Sequence, residues 1–269
     1  MLSRLWILAA AAVFVTAGCA RSAQTLTPEA ARAKGDDLLR VMSKNLGGLQ
    51  TFAYSADEGR DDGKAERRVT RRIVMRRPSA IAFTTKGNER DAAAWYDGKH
   101  VTLVWNRDKT WARGPMPPTL DEALDFLSAE YAIQMPTADL LYSSPYDAVM
   151  TPDTVGGWVD VQTIGSLRCD HLAYQQPAVD WEIWLSEDRR LPCRARIIYK
   201  NEPGRPTVTV TYSDLDLRPQ VTDETFVAKI PDGYQRIKIM RHGTINDPAV
   251  EAAESEPSTP EPAAKKSPE

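Results

Sequence analysis

The chain has 269 residues and a formal net charge of −3, with 42% hydrophobic and 26% charged residues. This is the composition of a globular protein of one or two domains, and the small negative charge excludes a general attraction for nucleic acid. Three cysteines and three histidines are too few for a typical zinc site. We therefore expect no metal, no cofactor and no nucleic-acid partner.

The first segment has the architecture of an export signal. Arg4 gives a positive start, the residues from Leu5 to Val15 are all apolar, and two small residues precede Cys19. The apolar run is too short to span a bilayer as a stable helix. We therefore predict a signal peptide over residues 1–18, with a transmembrane anchor as the alternative.

The end of that segment, Thr16-Ala17-Gly18-Cys19, resembles a bacterial lipobox, in which the cysteine is lipidated and becomes the mature N-terminus. Leu is usual where Thr16 stands, so ordinary signal-peptidase cleavage is the alternative. The resemblance implies lipidation of Cys19, a lipidated tether over residues 19–26, and firm attachment by several acyl chains. Ala20 replaces the Asp that retains such proteins at the inner membrane, which implies the periplasmic face of the outer membrane. Without lipidation the protein would be soluble in the periplasm.

An amphipathic helix is predicted after the tether. Thr27–Pro28 suits an N-cap and a first helical position, and Gly47–Gly48 suits the end of a helix. Leu38, Met42 and Leu46 repeat at helical spacing between them.

Alternating apolar and polar residues then predict two groups of strands. The first group is Thr51–Ser55, Arg67–Arg77, Ile81–Thr85, Ala93–Tyr96, His100–Trp105 and Thr110–Arg113, and the second is Trp158–Ile164, Arg168–Gln175, Trp181–Ser186, Cys193–Lys200, Thr207–Leu215 and Phe226–Ile230.

A helical insert separates the two groups. Thr119 and Glu122 form a capping box. The helix that follows carries one apolar stripe, which consists of Leu120, Leu124, Leu127 and Tyr131. Shorter helices are expected over Thr137–Tyr142 and Tyr146–Met150.

These elements predict an α+β fold: a curled antiparallel sheet, or half-open barrel, with an N-terminal helix and a central helical lid. A long antiparallel sheet must curl to protect its edges, and the insert must bury its apolar stripe on the concave face. Such a shape encloses an apolar cavity. We predict one domain over residues 27–242 and a disordered tail rich in Pro, Ala, Glu and Lys over residues 243–269.

Several short runs resemble the LolA/LolB-like lipoprotein-carrier fold. These are Arg76–Phe83 and Trp95–Val101 in the first half, and Trp181–Leu185, Leu191–Pro192 and Phe226–Gly233 in the second. Cys169–Leu172, with Asp180–Trp181, resembles a predicted periplasmic family of unknown function that is thought to share this fold. The resemblance implies a cavity that holds lipid or lipoprotein acyl chains. Because a soluble carrier must not be lipidated, Cys19 argues against a role as the sorting carrier itself.

Eight residues are candidates for the cavity lining: Val69, Arg71, Ile73, Met75, Leu120, Leu124, Leu127 and Tyr131. Arg71 shares an apolar strand face, so its charge needs a partner, for which a lid carboxylate and a ligand head group are the candidates. The predicted function is non-catalytic binding of a lipid or lipoprotein acyl chain. The alternative is a cell-envelope scaffold or interaction protein without a small ligand. An enzyme ranks last, because the sequence has no phosphate-binding loop, nucleophile elbow or metal spacing.

Three further features leave alternatives open. Cys169 and His171 lie two apart on a strand, as a buried structural pair or, less favoured, as a nucleophile with a base. Cys169 and Cys193 suit a disulfide in an oxidising compartment, but an intervening strand would place them about 9–10 Å apart. An arginine cluster is either a solvated sheet face or a contact for anionic head groups; its members are Arg60, Arg67, Arg68, Arg71, Arg72, Arg76 and Arg77.

Overall fold

The computed structural model describes residues 26–88, 90–131, 136 and 138–239. The helices within this part of the chain are α1 (Pro28–Gly47), α2 (Leu120–Tyr131) and α3 (Pro145–Val149), with 3₁₀ helices at Ala138–Leu141 and Asp223–Phe226. The predicted signal peptide, Cys19, most of the tether and the tail over residues 243–269 lie outside the described residues.

The strands form one sheet. They are β1 (Thr51–Asp61), β2 (Glu66–Arg76), β3 (Ala80–Gly87), β4 (Asp91–Tyr96), β5 (His100–Trp105), β6 (Thr110–Pro115), β7 (Val155–Ile164), β8 (Leu167–Gln175), β9 (Val179–Ser186), β10 (Pro192–Tyr199), β11 (Thr207–Asp216) and β12 (Gln235–Arg236). Their spatial order is β12-β6-β5-β4-β3-β2-β1-β11-β10-β9-β8-β7. The sheet is a pair of meanders joined where β1 pairs with β11, and the insert between β6 and β7 connects strands near its opposite edges.

The sheet is strongly curled and unclosed. Side chains of β10 face the same cavity as side chains of β3, although β10 is four places from β3 in the sheet. In a flat sheet this separation would be about 19 Å. The curl therefore brings the two meanders together around the concave face.

Helix α1 forms as predicted and packs against the buried face of the sheet. The side chain of Thr27 accepts a hydrogen bond from the Ala30 backbone N–H, and the helix ends at Gly47. It lies against β7, where a side chain at Gly157 would put its Cβ only 2.5 Å from the Ala31 carbonyl oxygen. Glycine at this position thus lets helix and strand approach closely.

The main core fills the concave face near β1 and α1. Leu39 and Met42 of α1 are 0% and 1% exposed, and they join a cluster that includes Phe52 of β1 and Leu172 of β8. Alternation along the strands places these side chains on one face. The apolar patterns therefore do specify which face of the sheet is buried.

Two details differ from the expected architecture. The predicted strand Phe226–Ile230 is wrong: Phe226 ends a 3₁₀ helix that Thr222 and Thr225 cap reciprocally, and Val227 and Ile230 are exposed. Local hydrogen bonds between side chains and the backbone form here instead of hydrogen bonds to a neighbouring strand. The final strand is instead β12, which pairs in parallel with β6, so one pair of this otherwise antiparallel sheet is parallel.

Candidate functional site

A cavity of about 280 Å³ lies between α2 and the strands β3, β4 and β5. Cross-strand pairing builds its floor, because Phe83 lies opposite Ala94 and Ala94 lies opposite Leu103. Directly opposed residues point to the same face of a sheet. Ile81, Tyr96 and Val101 continue the same face by the same register.

Helix α2 forms the opposite wall. Leu120, Ala123, Leu124 and Leu127 line the cavity, at spacings of three and four residues that place them on one side of a helix. The Thr119 hydroxyl and the Glu122 carboxylate cap the start of α2, as the sequence predicts; the Glu122 backbone N–H donates to the hydroxyl at 3.3 Å. The capping box thus fixes which residues of α2 face the strands.

Two tyrosines bring polar groups to the cavity. The Tyr96 hydroxyl donates to the Pro117 carbonyl oxygen at 2.6 Å, and burial raises the pKa of Tyr96 to about 12. The Tyr142 hydroxyl donates to Asp125 of α2 at 2.7 Å. Burial, followed by this hydrogen bond, raises the pKa of Tyr142. Both phenols therefore stay neutral around neutral pH and act as fixed hydrogen-bond donors.

Asp139 also lines this cavity. It lies in the 3₁₀ helix between α2 and α3, and burial raises the pKa of its carboxyl. Two residues of β10, Ile197 and Tyr199, complete the wall. Sequence reasoning missed these three residues, because only the curl of the sheet brings β10 and the insert to the cavity.

The structure separates the eight predicted lining residues into two groups. Leu120, Leu124 and Leu127 line the cavity, whereas Tyr131 lies outside its wall and contacts Phe126 edge to face at 5.7 Å. The four candidates from β2 also lie outside this wall; they are Val69, Arg71, Ile73 and Met75. Ile73 and Met75 are 1% and 0% exposed and fill the main core instead.

Arg71 is buried and has a partner from the neighbouring strand. Its guanidinium lies 3.1 Å from the Glu58 carboxylate, on β1. Burial lowers the pKa of Arg71, and the Glu58 charge opposes that shift. Its Nε has no hydrogen-bond partner in the described part of the chain. The partner is thus a strand carboxylate, neither of the two kinds anticipated.

Each member of the arginine cluster lies within 4.0 Å of a carboxylate oxygen. The pairs are Arg60–Glu202, Arg67–Asp62, Arg68–Glu66, Arg71–Glu58, Arg72–Asp214, Arg76–Asp223 and Arg77–Asp121. Most are partly exposed, so each contributes little to stability. The pairing favours the interpretation of a solvated sheet face.

Cys169 and Cys193 form a disulfide across β9, with a Cα–Cα distance of 7.1 Å. The sequence argument against this bond assumed a regular ladder. However, the pairing of β10 with β9 shifts between Pro192 and Arg194, so Cys193 lies at a bulge. A bulge adds a residue and bends the strand, which shortens the distance that regular spacing would impose.

His171 belongs to a polar network on the opposite face of β8 from the core. Its ring stacks on Trp184, with centroids 4.4 Å apart. Its Nδ1 lies 3.2 Å from Asp160 and its Nε2 lies 3.1 Å from Glu182. Since the Cys169 sulfur is bonded to Cys193, the Cys169–His171 pair has no free thiol.

Neither a membrane-spanning helix nor a metal-binding cluster occurs among the described residues. Helices α1–α3 include none long and apolar enough to cross a membrane. No group of three or more His, Cys, Asp or Glu residues within the described ranges could hold a metal ion.

Comparison with known proteins gives one family. The model of a family described as "Predicted periplasmic protein (DUF2092)" matches residues 35–240. No curated protein matches the chain.

Solved structures with a similar fold are distant in sequence. An uncharacterized conserved protein from Thermus thermophilus has 10% identity and a TM-score of 0.46, and the match covers 75% of this chain and 97% of that one. A LolA superfamily protein from Nitrosomonas europaea has 12% identity and a TM-score of 0.34, with 72% and 98% covered. LprF from Mycobacterium bovis has 11% identity and a TM-score of 0.40, with 75% and 98% covered. Likeness at this level carries no argument for function.

Proposed function

The chain belongs to the DUF2092 family of predicted periplasmic proteins, and from this premise we propose that it binds a lipid or lipoprotein acyl chain in the cavity beneath α2. The single observation that supports this most is an apolar cavity of about 280 Å³. Small-molecule sites measure about 300–1,000 Å³ and are mostly apolar with a few polar groups. The volume lies just below the lower end of this range, and with the mostly apolar lining it suits one flexible alkyl chain.

The energetics favour an alkyl ligand. Phe83, Leu103, Leu124 and Leu127 are partly buried residues packed against the core, and they line the cavity. Each methylene group that they cover would contribute about 0.8 kcal/mol. Six methylenes would therefore contribute about 5 kcal/mol before the ordering costs of binding.

The role of α2 in this proposal is that of a lid. It is joined to the rest of the insert by a few polar contacts, among them the Tyr142–Asp125 hydrogen bond and the Ser143–Asp121 bond from the Ser143 backbone N–H at 3.0 Å. Displacement of α2 would break these contacts and expose the apolar floor. Entry of a chain thus requires no rearrangement of the sheet.

The test is bound lipid, with a blocked cavity as the comparison. Leu124→Trp would fill the cavity from the lid side, whereas Val41→Trp places the same bulk on an exposed position of α1. Native mass spectrometry of the purified full chain should find co-purified lipid in the wild type and in the Val41 variant, and little in the Leu124 variant. Equal lipid content in all three proteins, or none in the wild type, would refute the proposal.

Lipid attachment through Cys19 is a second part of the proposal. It places the protein on the periplasmic face of the outer membrane, and a soluble periplasmic form is the alternative. Cys19→Ser should move the protein from the membrane fraction to the soluble fraction, because one or more acyl chains would be lost. Membrane association that persists in the variant would contradict the anchor. Intact mass of the N-terminal peptide identifies the modification directly.

We also propose that the protein is not an enzyme. The disulfide supports this, because it occupies the cysteine that could have served as a nucleophile. A turnover found for any ester or amide substrate, and lost in a cavity variant, would overturn this part.

A role as an interaction protein is the second candidate, and β7 favours it. This strand is an edge of the sheet, and Val155 and Val159 on it are 52% and 48% exposed. Exposed apolar edge strands are sites where another chain can add a strand. Val159→Lys should then abolish the recovery of a partner protein in a pull-down and leave the lipid content unchanged. If the Val159→Lys variant still recovers the partner, β7 is excluded as the strand that contacts it.

A further inference from the structure

One end of the cavity beneath α2 is closed by Met116–Leu120, the segment that leads from β6 into the helix. Its first backbone N–H donates to the carbonyl oxygen of Lys99, just before β5, at 2.8 Å, and its last donates to that of Pro78, just before β3, at 2.7 Å. Between these points the carbonyl oxygen of Pro117 accepts the hydrogen bond from the Tyr96 hydroxyl, at the end of β4. The segment is thus fastened across the ends of three neighbouring strands, and we call this the closed end of the cavity.

The side chains at the closed end are buried and mostly apolar. Met116 and Leu120 are 9% and 2% exposed and line the cavity. They adjoin a row of directly paired strand residues, Ile81, Tyr96 and Val101, which are also buried and line the cavity. Because the Tyr96 hydroxyl already donates to the backbone, a ligand would meet chiefly hydrocarbon at this end.

Both walls of the cavity become more exposed with distance from the closed end. On the sheet, the next paired row contains Phe83 and Leu103, which are only partly buried. On α2, Leu120 is followed along the lining by Leu127, which is partly buried, and by Ser128, which is exposed. The cavity therefore has a direction, and its open end has solvent and a hydroxyl group.

The volume of the cavity limits how much of a ligand it can hold. In a liquid, a group of the size of water takes up about 30 Å³. A cavity of about 280 Å³ therefore holds about nine or ten carbon atoms of an alkyl chain. A second chain of the same length would need about twice this volume, so one chain fills the space.

Resting on the acyl-chain function proposed above, we infer that the closed end makes the cavity a gauge of chain length. It takes one acyl chain of about ten carbons, with the terminal methyl group against Met116 and the polar head group at the open end. Each methylene inside the cavity is removed from water and adds to the affinity. Methylenes beyond that length stay outside and add little.

The opposite orientation of the chain is unfavourable for a physical reason. A head group at the closed end would exchange its hydrogen bonds to water for contacts with Met116, Leu120 and Ile81, and burial of an unpaired polar group costs free energy. A methyl group has no such hydrogen bonds to lose. At the open end, the exposed Ser128 and bulk water remain available to the head group.

The experiment measures affinity as a function of chain length on the full chain. The probes are monoacylglycerols with one uncharged head group and saturated chains that lengthen in two-carbon steps from about six to about fourteen carbons. Each adjacent pair is mixed in equal amounts, below the concentration at which the longer lipid forms micelles, and native mass spectrometry gives the ratio of the two complexes. For the wild type, each step should favour the longer chain by about tenfold up to about ten carbons, and by less than about twofold beyond that length.

Three variants locate the gauge. Met116→Ala shortens a side chain at the closed end and should move the break in this series to chains about two carbons longer. Met116→Trp fills the same end and should move the break to chains about two carbons shorter. Leu127→Ala, the matched truncation at the open end, should weaken the binding of every chain and leave the break where it is. The lipids behave identically in every sample, so a shift between proteins comes from the cavity.

The break in the wild type needs no variant, so the inference stays testable if one of them does not fold. A preference that continues at about tenfold per step through the longest chain would overturn the inference. So would a break that is unmoved in every folded Met116 variant, or that moves in Leu127→Ala. In these cases acyl chains still bind and the proposed function stands. If the wild type binds none of the monoacylglycerols, the proposed function itself is refuted, and the inference with it.

Discussion

Two regions of the same curled sheet are filled in different ways. In the stapled half, formed by β7–β10 and α1, a long helix approaches the strands closely at Gly157, and the Cys169–Cys193 disulfide crosses β9. In the cavity half, formed by β3–β5 and α2, the covering helix has 12 residues against 20 in α1, and it leaves about 280 Å³ unfilled. A single sheet can therefore carry a region that is packed solid and a region that is left hollow.

The largest expected effect comes from the same truncation in each half. Leu172 is 0% exposed within the stapled half, whereas Leu124 is partly buried at the cavity. Leu172→Ala should lower the free energy of unfolding by about 3–4 kcal/mol, because it creates a new void in a solid core. Leu124→Ala should cost about 1 kcal/mol, because it enlarges an existing one. Chemical denaturation measures both, and equal losses would mean that the two halves are packed alike.

Removal of the disulfide should give the next largest loss of stability. It joins residues 24 apart in sequence, so replacing both cysteines by Ala should lower the stability by about 3 kcal/mol through loss of the cross-link. A reducing agent should lower the unfolding midpoint of the wild type to that of the double variant and leave the double variant unchanged. A wild type that is insensitive to reduction would show that the thiols are not bonded in solution.

The close approach of α1 to β7 predicts a smaller loss of stability when Gly157 is replaced. Gly157→Ala would place a methyl group 2.5 Å from the Ala31 carbonyl oxygen, whereas at Gly59 the nearest atom is 3.5 Å away, at the end of the Glu66 side chain. Gly157→Ala should therefore destabilise by about 1–3 kcal/mol through forced separation of α1 from β7. Gly59→Ala is the matched control, and its thermal midpoint should stay close to that of the wild type. Similar losses for the two variants would contradict the tight contact.

The smallest effect is a pH dependence confined to the cavity half. Burial raises the folded-state pKa of Asp139, so the stability that this group contributes is fully present below the ordinary carboxyl pKa and is lost as the pH rises through the raised value. Asp139→Asn does not titrate. Thermal midpoints measured from about pH 3 to about pH 8 should show the wild type losing stability relative to this variant across that window. If the thermal midpoints of the two proteins depended on pH in the same way, the Asp139 carboxyl would be solvated in the folded protein as it is in the unfolded chain.

Local patterns predicted most of the elements of both halves. The Thr27 cap and Gly47–Gly48 mark the ends of α1, and the Thr119–Glu122 capping box marks the start of α2. Alternation located eleven of the twelve strands, since each strand shows its buried face in its own residues. It failed at Phe226, where capping bonds between Thr222 and Thr225 decided the local structure against an apolar run that reads as a strand.

The candidate site was less accessible from sequence. The apolar stripe of α2 identified Leu120, Leu124 and Leu127, because a stripe on a helix must face something apolar. The corresponding stripe of β2 named residues on the correct face of the sheet but in the wrong place along it, since Ile73 and Met75 lie in the solid core. Alternation of apolar and polar residues with a period of two shows which face of a strand is buried. It contains no information on where along a curled sheet a cavity remains.

The sequence by itself determined most of the element types, the buried face of most strands and the membership of the chain in its family. These follow from spacing over a few residues or from short motifs. Only the tertiary structure decided where the cavity lies, that Glu58 pairs with Arg71, that a bulge brings Cys193 to Cys169, and that Asp139 faces the same space as Tyr199. Each of these depends on the curl of the sheet and on strand register, which relate residues far apart in the chain and leave no periodic trace in it.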